Sequence, residues 1–293
     1  MSNLHSVPIT IANILIELTS PLPAAELGIE GRLGSFFGAP EKPLARVALR
    51  WEESKSAPAP SGDLIFDPGS IWKMYRAGDQ FYAAMTHGNG ESASQAQSVL
   101  RANSVWSDLT LIEQRTGAAW QSLLNLGAGE LLLRASMVLT DGLVFHASGI
   151  DDNGRGIVFV GHSGAGKSTQ ADLWSQVPGV VAMNDDRIAV RPNAGGAICY
   201  GTPWGGTANI ARNHQVPLSA LILLEQAPEN DIQRLSPSAS APLLLARAFL
   251  PYWDRALLQR AMANLNALLA RVPVYRLRCR PEPEVVSLVR SVL

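Results

Sequence analysis

The sequence predicts an α/β protein with a phosphate-loop core on a mixed sheet, preceded by a β-rich N-terminal region. Three observations carry this. Residues 161–169 read GHSGAGKST, a glycine-rich turn between the apolar run 157–160 and a helical stretch, the context in which such loops cradle phosphates. Just before it, two apolar runs flank Asp152-Asn153-Gly154-Arg155, and Asn-Gly in that setting is the strongest short signal for a β-hairpin. Up to residue 117, short apolar-aromatic segments alternate with turn residues, the pattern of short strands. The expected division is 1–117, β-rich, and 118–293, the catalytic domain.

Taken in order, strands are expected at 9–18, 45–51, 64–66, 71–76, 80–85 and 104–114, with a loop at 88–97. In this region His87 and Trp72 read as packing or surface residues, because isolated polar or aromatic residues rarely mark sites. Apolar residues at three- to four-residue steps, among them Trp120, Leu123, Leu124, Leu126, Leu131, Leu132 and Met137, predict a helix within 118–139. A hairpin follows, then the loop, then a short helix over 169–176 stopped by Pro178 and Gly179. An apolar strand runs to Asp185 and Asp186. Beyond it come a hairpin (188–191 with 197–200), a buried strand at 218–224, helices at 241–250 and 254–269, a strand at 274–277 and a short terminal helix. Strands and helices interleave, as in α/β folds.

Composition narrows the functions open to the chain. Apolar residues make up 47% and charged residues 17% of the 293, which suits a globular chain with a substantial core. A net charge of −1 gives no basic footprint for nucleic acid. No apolar run reaches the ~18 residues of a membrane span, and the start, Met1-Ser2-Asn3-Leu4-His5, lacks the segments of a secretory signal. A cytoplasmic protein without nucleic-acid or membrane partners is expected. Cys199 and Cys279 lie far apart with no CxxC spacing, so reduced thiols are expected. Of 24 basic residues only Lys42, Lys55, Lys73 and Lys167 are lysine. The last lies in the glycine loop, where a compact ammonium suits a phosphate cradle better than a guanidinium fork.

Gly161, Gly166, Lys167 and Ser168 satisfy GxxxxGK(S/T). Backbone N–H groups of such a loop and of the helix start point at phosphate oxygens, and the helix dipole adds favourable charge. The expected nucleotide-binding set is therefore Gly161, His162, Ser163, Gly164, Ala165, Gly166, Lys167, Ser168 and Thr169. His162 fills a variable position. Lys167 would reach the β/γ-phosphates and Ser168 would ligate Mg²⁺. Successive strand side chains point to opposite faces, so Asp185 and Asp186 share a site only if the strand end turns. There one could approach the metal and the other the incoming nucleophile. With Asn153-Gly154 as the turn, paired positions sum to 307, which puts His146 opposite Gly161 at the loop's mouth.

The run FHASGIDDNGRGIVFVGHSGAGKST with NDDR after it resembles the catalytic core of the HPr kinase/phosphorylase family. It is closest in style to HPr-kinase-like peptide-tailoring kinases, including those that phosphorylate lasso peptides. The resemblance implies a fold related to phosphoenolpyruvate carboxykinase and an ATP- and Mg²⁺-dependent phosphotransferase. By position it implies Ser168 with Asp185 at the metal, Asp186 as the favoured general base and His146 close to the transferred phosphoryl, while the sequence leaves the two aspartates' roles interchangeable. Where HPr kinases carry a glycine- and isoleucine-rich segment, this chain has GTPWGGTAN. That departure counts against HPr itself as substrate, and against the family's reverse phosphorylase activity and hexameric assembly. Trp204 and Asn209 in that segment read equally as pocket-lining residues or as a core tryptophan and a loop-capping asparagine. The expected partner is a peptide or small protein carrying a serine hydroxyl, and a homo-oligomer is compatible. The alternatives are a kinase of a small molecule such as free serine, or a non-catalytic nucleotide-binding regulator.

Overall fold

Ala12 and Asn13 both take left-handed backbone conformations (φ 50° and 60°). They break the expected strand at 9–18 into a hairpin, β1 (His5–Ile11) and β2 (Ile14–Ser20), with Ile11 opposite Ile14. Positive φ at both central positions makes the tight turn that matches strand twist. The computed structural model describes residues 4–86, 96–114 and 127–293. These form two units, Met1–Ser136 with Pro251–Arg255 and Met137–Leu250 with Ala256–Leu293.

In the first unit, a short helix α1 (Glu30–Leu33) is followed by β3 (Ala45–Ser54), β4 (Asp63–Phe66), β5 (Trp72–Ala77), β6 (Gln80–Met85), β7 (Ser98–Ala102) and β8 (Asp108–Gln114). With the first hairpin these strands make one mixed sheet, ordered β1-β2-β3-β8-β7-β6-β5-β4. The pairings β2–β3 and β3–β8 are parallel. The indole N–H of Trp51 donates to Glu113 across the sheet at 3.1 Å, and both residues are fully buried, so the carboxylate's burial is offset by a partner. Trp72 packs edge-on against Trp253 with centroids 5.6 Å apart. The helix expected within 118–139 appears as α2 (Ala128–Leu139). Its earlier part, His87 and most of the loop expected at 88–97 lie outside the described residues.

The second unit is built around two long strands, β9 (Leu143–Asp152) and β14 (Gln215–Gln226). β10 (Arg155–Val160) returns along β9 with paired positions summing to 307, from Arg155↔Asp152 to Val160↔Ala147. After α3 (Lys167–Ser175), β11 (Val180–Asn184) and β12 (Arg187–Asn193) run successively along the other edge of β9. β13 (Gly196–Gly201) joins β12 to β14, and β14 in turn pairs parallel to β10. The neighbours β10-β9-β12-β13-β14 thus return to β10 as a closed ring. Outside it, β16 (Val274–Cys279) lies parallel to β14, with β15 (Asp231–Leu235) at the edge. β10 from Gly156 onward and the middle of β14 are continuously apolar and buried, the signature of strands covered on both faces. The core joins Ile157, Phe159 and Ile222 to Trp174 of α3 and to Val285 and Val289 of the terminal helix.

α4 (Pro237–Leu245) starts where Ser236 accepts the N–H of Ala239 at 3.2 Å and proline occupies the first turn, a favoured N-terminus. The helix expected over 241–250 therefore ends early. Residues 246–249 instead run back along β9, where Phe249 N–H donates to Val144 O at 2.8 Å. α5 (Arg255–Leu269) and α6 (Glu284–Arg290) complete the chain. The whole is mixed α/β, rich in strands. Among the described residues no helix is long and apolar enough to cross a membrane. Both cysteines are free and buried, and burial pushes the Cys199 thiol up to about 12.

Candidate functional site

β10 delivers the glycine loop and α3 receives it. Gly164 and Gly166 hold φ values of 80° and 103°, which side chains beyond glycine rarely adopt. The N–H of Ala165 donates to His162 O at 3.1 Å, and Lys167 Nζ donates to the same carbonyl at 3.0 Å, so the loop curls around the ammonium. Lys167 is 6% exposed. Burial lowers its pKa, the Asp186 charge opposes that, and the Arg247 charge adds to the lowering. The first amides of a helix have no intrahelical acceptor. α3 has no side-chain cap, and among the described residues no group accepts from the N–H of Lys167, Ser168 or Thr169. Ser148 Oγ ties the helix start to β9 by donating to Lys167 O at 2.9 Å. His162 and Ser163 are exposed, and the imidazole Nδ1 meets Ser163 O at 2.6 Å.

The acidic run after β11 divides its labour by residue. Asn184 is fully buried. Its Nδ2 donates to Thr202 O (2.8 Å) and Trp204 O (3.1 Å), and its Oδ1 accepts from the N–H groups of Asp186 and Arg187. Asp185, 2% exposed, accepts three backbone amides: Gly206 (2.7 Å) and Ile210 (3.1 Å) on Oδ1, and Ala208 (2.8 Å) on Oδ2. The carboxylate expected at the metal is thus the anchor of the GTPWGGTAN segment. Gly206 is required at this approach, since a Cβ there would come 2.9 Å from Asp185 Oδ2. Trp204 is 1% exposed, a core side chain, and Asn209 is exposed with φ 54°.

Asp186, in the same bend between β11 and β12, has a different set of partners. Its Oδ1 receives His146 Nε2 at 3.1 Å, and Arg187 pairs with Oδ2. Burial raises the Asp186 pKa, but the His146 hydrogen bond and the charges of Arg187, His146 and Lys167 outweigh it, so the carboxyl titrates below its ordinary value. The Arg187 guanidinium lies over Phe249, 4.9 Å from the ring centroid. β10 ends one step short of the expected His146–Gly161 pairing. The N–H of His146 donates instead to Arg247 O at 2.8 Å, with Arg187 opposite on β12. His146, Asp186, Arg187, Arg247 and Lys167 therefore form one cluster, a carboxylate with an imidazole, two arginines and a lysine beside open amides. Such a cluster can bind a polyanion and hold a hydroxyl. Among the described residues no group of three or more His, Cys, Asp or Glu side chains is placed to share a metal.

A family model described as SynChlorMet cassette protein ScmC matches residues 122–282, more than half of the chain. The chain belongs to the ScmC family. That match takes in the glycine loop, both aspartates, His146 and Arg247. The structure of the Hpr(Ser) kinase/phosphatase from Coxiella burnetii is similar over 51% of this chain and 89% of its own, with 15% identity and a TM-score of 0.30. No curated protein matches. Sequence reasoning left unassigned Asn184, Arg187 and Arg247. The first two stand in the quoted NDDR run, whereas Arg247 carries no local signal and reaches the cluster only through the pairing of 246–249 with β9.

Proposed function

We propose that the chain is a Mg²⁺-dependent kinase with an HPr-kinase-like core, transferring the γ-phosphoryl group of ATP to a serine-type hydroxyl of a peptide or small protein. One arrangement supports this reading: a buried lysine at an uncapped helix start, electrostatically coupled to a carboxylate that His146 and Arg187 hold ionised. In the proposed reaction the acceptor oxygen bonds to the γ-phosphorus, the bond to the β-bridging oxygen breaks, and ADP leaves with its electron pair. Asp186 takes the hydroxyl proton. Phosphoryl transfer is loose, with charge spread over the equatorial oxygens, so a carboxylate of lowered pKa serves by orienting the hydroxyl before it accepts the proton. His146 fixes that carboxylate, and Lys167 with the open amides of 167–169 binds the β/γ-phosphates.

Mg²⁺ would be held by Ser168, whose hard hydroxyl oxygen at the open helix start suits the cation. Asp185, expected beside it, is 2% exposed and spends its carboxylate on three backbone amides, which fits a loop anchor and not a second metal ligand. Bound at Ser168, the cation would supply charge neutralisation at the phosphates. The test is transfer from labelled ATP to serine-bearing peptides. Asp186→Asn should keep ATP affinity and lose about 10²- to 10⁴-fold in transfer rate. Unchanged transfer would move the base elsewhere, and a wild-type chain that binds ATP but labels no hydroxyl would overturn the kinase reading.

A further inference from the structure

β10, β14 and β16 run parallel, and their carboxyl ends share one side of the sheet, where α/β folds gather ligands. Next to the glycine loop these ends enclose a cavity of about 520 Å³, within the ~300–1,000 Å³ span of small-molecule sites. Thr169 and Gln170 of α3, Ala227 and Pro228 after β14, and Arg280 and Pro281 after β16 line it. The wall is braced to the loop: Gln226 Nε2 donates to Gly164 O at 2.8 Å, and Ala227 N–H donates to Cys279 O at 3.2 Å.

Gln170 marks the cavity as a built site. It is 2% exposed, its Nε2 reaches Cys279 Sγ at 3.7 Å, and its Oε1 is buried without a hydrogen-bond partner. Buried acceptors lacking a donor are uncommon in native proteins, and each asks for an explanation. Thr169 belongs both to the phosphate loop and to this wall, so a nucleotide whose phosphates lie on the loop has its nucleoside end beside the cavity. Small and prolyl side chains offer flat apolar surface to a ring. Asp186 and His146 do not line the cavity, which separates it from the place of the acceptor hydroxyl.

We propose that this cavity takes the base and ribose of a nucleoside triphosphate, with Gln170 Oε1 accepting a hydrogen bond from an exocyclic amino group of the base. The proposal rests on the reading of residues 161–169 as a phosphate cradle. Calorimetric binding of ATP, ITP and inorganic tripolyphosphate to the full chain tests both. ATP should bind at least tenfold more tightly than ITP, whose hypoxanthine carries an oxo group in place of adenine's amino group, because a site built for an N–H donor rejects the analogue lacking it. Ala227→Trp, which fills the cavity, should weaken ATP at least tenfold and leave tripolyphosphate unchanged. Should that variant not fold, Gln170→Leu should abolish the preference for ATP over ITP. Equal binding of ATP, ITP and tripolyphosphate to the wild type overturns the cavity alone, as does undiminished ATP binding to a folded Ala227→Trp. A wild-type chain that binds none of the three overturns the phosphate cradle, and this proposal with it.

Discussion

Two glycine-rich loops face opposite fates in the second unit. Residues 161–166 follow β10 and leave the amides at the start of α3 open. Residues 202–210 follow β13 and give the amides of Gly206, Ala208 and Ile210 to Asp185. Glycine in a loop signals that something approaches the backbone closely, but not what. Where the chain supplies its own anion the loop becomes scaffold, and where it supplies none the loop is left for a ligand.

The largest effect should come from the open loop. Lys167→Ala should cut ATP and tripolyphosphate affinity on the order of a thousandfold with little change in the unfolding midpoint, because the ammonium meets the β/γ-phosphates directly. If affinity survives, the two loops do not differ as described. In the filled loop the order reverses: Asp185→Asn should cost about 3 kcal/mol in urea unfolding, since an amide turns N–H groups toward N–H donors, while tripolyphosphate still binds. Gly206→Ala presses a Cβ to 2.9 Å from Asp185 Oδ2 and should cost about 1–3 kcal/mol by overpacking. Smallest is Asn209→Ala, which puts alanine at φ 54° and should cost roughly 1 kcal/mol in the same measurement. A null result for both would mean that the 202–210 loop is not held by these contacts.

Local signals in the sequence were legible where short-range chemistry decides the outcome. Asn153-Gly154 fixed the β9–β10 register through Ala147↔Val160, because both residues take positive φ. Alternation did not decide the two aspartates: the strand end turns at Asp185 and Asp186, which lie in the bend between β11 and β12, and their separate partners, the 206–210 amides and His146, come from distant segments. The split of residues 9–18 was hidden because alanine is no turn former, yet Ala12 sits at φ 50°. β15 shows an exposed, non-alternating pattern and takes its structure from pairing with β16. Arg247 replaced Gly161 as the neighbour of His146 because a segment distant in sequence occupies that edge of β9, which no local pattern encodes. The first unit's strands were largely readable, but the parallel order of β2, β3 and β8 depends on pairings between distant segments.

The closed ring of the second unit also sets a schedule for folding. The β9–β10 hairpin is local and can form within about 1–10 μs, presenting residues 161–166 at its open end. Its parallel neighbour, Leu218 to Leu223 of β14, is translated much later, and pairings of such high sequence separation are slow to form. A nascent chain therefore exposes an apolar, one-sided β10 until β14 leaves the ribosome. Nucleotide added during synthesis should capture the chain only after that strand has emerged.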